Sequence, residues 1–180
     1  MTQAVANQKS PAEILRARAK ALARPPQRKD PAGPSIEIVE FGLAGERYAL
    51  ETACVREVYP LNDLTPLPGT PPFVAGIIHA RGRIVAVIDL KKFFDLPEEG
   101  ITDSHRVVIV GRDDTEIGVL ADFVAGVRSV PLSALQSALP TFSGPREQYL
   151  KGVTAERLVV LDAARILADP KIVVEEGVVV

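Results

Sequence analysis

From Ile36 onward, apolar residues either recur at every second position or run together in short blocks, and both patterns specify strands. "IEIVEFGLAGERYAL" alternates in its first half and breaks at Ala44-Gly45, which predicts a hairpin. "ACVREVYPL" predicts a short strand with Val55 and Val58 facing inward. "LTPLPGTPPF" cannot be a central strand, because its four prolines remove backbone donors and fix φ. "GIIHARGRIVAVIDL", Gly76 to Leu90, places two apolar runs around Arg81-Gly82-Arg83 and predicts a second hairpin, followed by one helical turn at "DLKKFFDL". "HRVVIVGRDDTEIGVLADFV" predicts a third hairpin around Asp113-Asp114. Beyond it "AGVRSV" reads as a further short strand, "PLSALQSALP" as a brief helix or turn, and "RLVVLDAARIL" as a strand running into a helix. Strands outnumber helices, so the class is mainly β, small barrels or a sandwich.

The two halves repeat each other. Tyr48, Val55 and Val58 share their spacing with Ile117, Val124 and Val127, at a constant offset of 69 positions. Gly76 and Asp89 have looser counterparts in Gly152 and Asp162. A hairpin, a valine pair, and a glycine leading to strand–Asp–helix thus occur twice, which predicts two β-subdomains of similar plan interleaved into one body.

Charge separates the N-terminal segment from the rest. Residues 1–29 hold seven Lys and Arg against one acidic residue, a net of +6, while residues 30–180 carry a net of −8. An acidic body argues against nucleic acid, because phosphate binding needs clustered Lys and Arg on a folded face. "SPAEILRARAKALARPP" predicts a helix: Ser10 caps, Pro11 suits the first helical position, and Glu13 completes a capping box. Pro25 and Pro26 end it, and "RPPQRKDPAGPS" follows as a linker. Two readings stand side by side: a frayed helix on a tether, or a docking helix for a membrane or an acidic partner. No apolar run approaches the roughly 20 residues of a membrane span. "MTQAVANQKSPAE" lacks the apolar core of a secretory signal. The single cysteine, Cys54, permits no internal disulfide, and a cytoplasmic location is expected.

No active site is expected. His79 and His105 stand in no metal-ligand spacing, Cys54 reads as a small buried hydrophobe, and the glycines fall singly rather than in a phosphate-binding cluster. Asp89 and Asp162 each follow an apolar strand and precede a helical segment, the place of an N-cap. Asp122 interrupts a strand as a turn or bulge residue, and Arg83 reads as the solvent side of one. No catalytic residue, metal or cofactor is assigned.

"GIIHARGRIVAVIDLKKFF" resembles the pattern of the CheW-like domain family, the coupling adaptors of bacterial chemotaxis: glycine, strand, "RG", apolar strand, "DL" and a short helix. "FGLAGERYALETACVREV", "LTPLPGTPPFVAG", "VVIVGRDDTEIGVLADFVAGV" and "YLKGVTAERLVVLDAARIL" resemble the family's other segments in the same order, over residues 36–168. The chain departs from the pattern at Ala86, where a proline is usual, at Ala121-Asp122, where "VD" is usual, and in its basic extension.

The resemblance implies two five-stranded SH3-like β-barrels around a shared core. It divides the chain into a basic helical extension and linker over 1–34, the CheW-like domain over 35–170, and a tail over 171–180. It also implies a non-catalytic adaptor joining the cytoplasmic tip of a methyl-accepting chemoreceptor to the regulatory domain of a CheA-type histidine kinase, in receptor arrays at the inner membrane. The alternative is the same fold recruited to a non-motility pathway, with the basic helix docking on a membrane or an acidic partner. By the same resemblance Arg81 pairs with Glu57 near the receptor-binding face. Val55, Val58, Ile77, Ile84, Val124 and Val127 are the candidates for an apolar receptor groove between the barrels, and Gly76 and Gly82 serve turn geometry.

Overall fold

Three two-residue turns organise the chain. The computed structural model describes residues 33–97, 104–136 and 146–172. The basic helix expected over 10–24, its linker, the second part of "PLSALQSALP" and most of the expected tail lie outside them. Strands β1 (Ser35–Leu43) and β2 (Glu46–Glu51) pair antiparallel with Leu43 opposite Glu46. This closes a turn at Ala44-Gly45 with φ of 50° and 76°. Left-handed backbone at both turn positions matches the twist of the flanking strands. β4 (Val74–Ala80) and β5 (Arg83–Ile88) turn the same way through Arg81 and Gly82, at φ 51° and 80°. β6 (Arg106–Arg112) and β7 (Thr115–Ala121) turn at Asp113-Asp114, with Asp113 at φ 53°.

The remaining strands are β3 (Val55–Pro60), β8 (Phe123–Pro131), β9 (Leu150–Val153) and β10 (Leu158–Leu161). "AGVRSV" is thus the middle of a nine-residue strand. Two short helices follow the apolar strands, α1 (Leu90–Phe93) and α2 (Ala163–Leu167). Each is N-capped by the expected aspartate: Asp89 accepts from the Lys91 N–H at 2.9 Å, and Asp162 from the Arg165 N–H at 3.2 Å.

The strands form two five-stranded sheets, ordered β8-β1-β2-β10-β9 and β3-β6-β7-β5-β4. Each is one of the two SH3-like barrels, called barrel 1 and barrel 2. The halves exchange strands. Hairpin β1–β2 is completed by β8, β9 and β10 from the second half, and hairpin β6–β7 by β3, β4 and β5 from the first. The pairings repeat as well, β2–β10 and β5–β7 being parallel.

This plan explains why the strands read as apolar blocks. Alternate residues of one strand enter different cores. Val107 and Ile109 fill barrel 2 with Ile78, Val85, Val87 and Leu120, while Val108 and Val110 on the opposite face meet Phe41, Leu43, Tyr48 and Leu50 in a core shared by both barrels. Ile38, Ala49, Val130, Leu158 and Val160 fill barrel 1. Leu90, Phe94, Ile166 and Leu167, from or beside the short helices, cap the shared core.

The glycine pair of the repeat has a common cause. Gly76 is not in a turn, as expected, but at a bulge in β4, with φ 146°. A Cβ there would stand 2.3 Å from the carbonyl oxygen of Thr65, whose segment lies along the edge of β4 through a Thr65–Ile77 bridge. At Gly152 a Cβ would stand 3.0 Å from the carbonyl oxygen of Gln136, which bridges to Val153. In each half the glycine admits the backbone that covers a sheet edge.

Candidate functional site

The expected ion pair, Arg81 and Glu57, forms at one end of barrel 2. Parallel pairing of β5 with β7 brings the starts of both strands together, and antiparallel pairing of β3 with β6 brings the start of β3 to the same end. Arg83 precedes Val85 and Val87 on the barrel-facing side of β5. Glu57 stands opposite Ile109, and Glu116 opposite Gly111. The three side chains therefore share the face that lines the barrel and meet at its mouth.

Glu57, 16% exposed, sits between two guanidinium groups. Arg81 Nε lies 2.9 Å from its Oε2, and Arg83 donates from Nη2 to its Oε1 at 3.1 Å. Arg83 donates again from Nη1 to Glu116 Oε2 at 2.5 Å. Arg83 is thus not a solvent-side strand residue, as expected, but the link between two carboxylates. The missed signal is register: Glu116 lies 33 residues away and comes within reach only through the β5–β7 pairing. Arg81, at the hairpin tip, is 78% exposed. With Arg56 and Asp113 these residues line an open depression of about 490 Å³.

The apolar candidates divide. Val55 and Val124 pack against the shared core at equivalent places in the two halves, and Ile77 is half-buried. Val58 is 40% exposed, Val127 58% and Ile84 66%. Val58 shares the face of Val55, standing opposite Val108 as Val55 stands opposite Val110, but it is exposed rather than packed into the core. A bulge between Val55 and Glu57 brings the two valines to one face, and the place of β3 at the sheet edge leaves Val58 at the margin of the shared core. Gly82 permits the left-handed turn beside Arg81. His79 is exposed, and Cys54 is half-buried against the shared core.

Barrel 1 carries a related network. Glu40, buried, receives Arg128 Nε at 2.8 Å and Arg47 Nη1 at 3.2 Å, and Glu156 lies 3.2 Å from Arg128. Arg47 is the counterpart of Glu116 at the offset of 69, so the repeat keeps a two-arginine, two-glutamate plan while reversing the charge at that position.

A third cluster was not visible in the sequence. Lys91, on α1, is 1% exposed and places Nζ 2.5 Å from Asp122 Oδ1. Asp122 occupies the bend between β7 and β8, where the chain passes from barrel 2 to barrel 1. Its Oδ2 accepts the N–H of Ala44 at 2.7 Å, its own N–H donates to Gly42, and His105 Nε2 lies 3.1 Å from Oδ1. Burial opposes the charge on Asp122. The Lys91 and Ala44 hydrogen bonds, with the positive charge of Lys91, more than offset it and hold the carboxyl below its ordinary 3.8.

Two interleaved barrels, a salt-bridged mouth and a few exposed apolar side chains make a small β scaffold. Among the described residues no group of three His, Cys, Asp or Glu side chains is placed to hold a metal ion, and no helix is long and apolar enough to cross a membrane. The chain belongs to the CheW-like domain family, whose model matches residues 37–171. It is 34% identical over 102 residues to the chemotaxis protein CheW of Bacillus subtilis, covering 57% of this chain and 65% of that protein. It is 30% identical over 155 residues to the chemotaxis protein CheW of Klebsiella aerogenes, covering 82% and 92%. Among solved structures it is similar to the scaffolding protein TtCheW from Thermoanaerobacter tengcongensis, at a TM-score of 0.64 and 30% identity, over 71% of this chain and 89% of that one.

Proposed function

We propose that this chain is a non-catalytic adaptor that couples the cytoplasmic tip of a chemoreceptor to a CheA-type histidine kinase, within receptor arrays at the inner face of the membrane. The observation that carries this reading is the family match across both barrels. The mouth of barrel 2 supports it. A hairpin tip held by a carboxylate costs little further ordering when a helix docks. Ile84, Val58 and Val127 supply exposed apolar side chains of the kind that helix-in-groove recognition buries. The Arg81–Glu57 pair serves geometry more than stability: with Arg81 this exposed, it contributes about 0–1 kcal/mol.

The test mixes the protein with a chemoreceptor signalling fragment and the kinase. Co-sedimentation of all three and a change in kinase activity are expected. Arg81→Glu is expected to fold normally and to weaken coupling, because its carboxylate would face Glu57 with like charge. Absence of both co-sedimentation and a kinase response defeats the reading.

A further inference from the structure

The chain crosses between the barrels at two similar places, and the two crossings are built differently. One runs from β2 into β3 through Thr52–Cys54, the other from β7 into β8 through Asp122. Each delivers a sheet-edge strand whose valine, Val55 or Val124, packs against the shared core. β3 and β8 belong to different sheets and share no hydrogen-bond ladder, so their spacing must be held by other means. At the second crossing one carboxylate holds it. Asp122 Oδ1 faces barrel 2: it receives Lys91 Nζ, from α1, at 2.5 Å and has His105 Nε2, just before β6, at 3.1 Å. Its Oδ2 and its own N–H engage barrel 1, at Ala44 and Gly42 of the β1–β2 hairpin, at 2.7 and 3.0 Å. The Phe123 ring then packs over Gly42, where a Cβ would stand 2.1 Å from it. The first crossing has Ala53, exposed, at the place equivalent to Asp122. Its side-chain contacts, Thr52 Oγ1 to the Glu37 carbonyl at 3.3 Å and Glu51 to Lys151, stay within barrel 1.

We infer that Asp122 is a positioning residue for partner docking: bonded to both barrels at once, it sets where β8, with Val124 and Val127, stands relative to β3, with Val55 and Val58. A surface shared between two sheets binds a helix at low ordering cost only when its two sides keep their spacing. This rests on the adaptor reading and gives Asp122 a role exercised through the strands rather than by touching the partner.

The test compares the full chain with Lys91→Met/Asp122→Asn, whose amide keeps an acceptor for the Ala44 N–H while the tie to α1 is gone. Binding to the cytoplasmic signalling fragment of a chemoreceptor from the same cell is measured first. The β3–β8 distance is then measured with spin labels at Arg56→Cys and Ser129→Cys, both exposed, in a Cys54→Ala background. The double variant is expected to bind on the order of tenfold more weakly and to give a broader distance distribution. Lys91→Gln, which keeps a donor for Asp122, is expected to show both effects at reduced size, and carries the test if the double variant does not fold. Val160→Ala, which opens a cavity in the barrel 1 core, is expected to lower the melting temperature yet leave affinity and distance as in wild type. Wild-type affinity or a wild-type distance distribution in the Lys91 variants, or an equal loss of binding in Val160→Ala, would overturn the inference while leaving the adaptor reading intact. A wild-type chain that fails to bind the fragment overturns both.

Discussion

Replacing Lys91 by methionine isolates the cluster at the crossing between the barrels. The methionine keeps most of the apolar stem and removes the ammonium. At the observed 2.5 Å the gross attraction is several kcal/mol even at an effective dielectric of about 20, but the desolvation of a lysine only 1% exposed consumes much of it. The larger effect is on what remains. Asp122 loses its closest cation and keeps the Ala44 N–H and His105. Breaking a fully buried pair costs about 3–5 kcal/mol, and Asp122 is still 18% exposed, so a loss of about 2–3 kcal/mol is expected. For a domain of this size that lowers Tm by roughly 5–10 °C. Lys91→Met/Asp122→Asn leaves no orphaned charge and should recover at least half of the loss. The pH dependence has a definite sign. The folded Asp122 carboxyl titrates below its unfolded value, so its contribution is present above about pH 3.8 and is lost as pH falls through the folded value. Lys91→Met removes much of the cause of that depression and should flatten the acid limb of the stability curve. Urea unfolding followed by circular dichroism between pH 3 and 7 measures all of this. A single variant within about 0.5 kcal/mol of wild type, or a double variant equal to the sum of the singles, would refute the reasoning.

The paired glycines should differ in sensitivity. Gly76→Ala combines a left-handed φ with a backbone clash, and is expected to cost about 2–4 kcal/mol in urea unfolding, against about 1 kcal/mol for Gly152→Ala, whose nearest contact is 3.0 Å. Tyr149 is pushed up to about 12 by burial and by its hydrogen bond to Asp169. Tyrosinate absorbance should therefore rise equally in wild type and Tyr149→Phe between pH 9 and 11. Because the folded value exceeds the unfolded one, the stability this contact contributes is present below about pH 10 and is lost as pH rises through about 12. A smaller rise in Tyr149→Phe over that range would show that the phenol is not held.

The hairpins and both aspartate caps were legible because their causes are local. A two-residue turn, or an aspartate at a helix start, is written within four or five positions. The repeat was legible for a related reason, since Val58 and Val127 are equivalent in place and both exposed. Their exposure was not legible, because it follows from β3 and β8 lying at the edges of their sheets, which no local pattern marks. Arg83 and Lys91 were missed for a different reason. "RGR" and "KK" each look like solvated charge, and what distinguishes the members is a carboxylate 33 or 31 residues away. Those partners are set by strand register and by the passage between barrels, so no local pattern marks which arginine is the link or which lysine is buried.

The exchange of strands connects these features. The mouth of barrel 2 takes Glu57, Arg81 and Arg83 from the first half and Glu116 from the second, so the network closes only when both halves are folded together. Glu116 lies near the start of β7, and Asp122 follows its end, where Lys91 and the β1–β2 turn converge on one carboxylate. The same strand therefore bears one end of the mouth and one side of the clasp between barrels, with Ile117 and Val119 in the shared core and Leu120 in barrel 2 between them. A load applied at Arg81 passes through Glu57 and Arg83 to a strand anchored in both cores. Under the adaptor reading this matters more than the strength of any single pair. A protein that positions one partner against another needs its docking hairpin fixed relative to the whole body, and here three long-range contacts supply that fixation where local turn geometry alone would not.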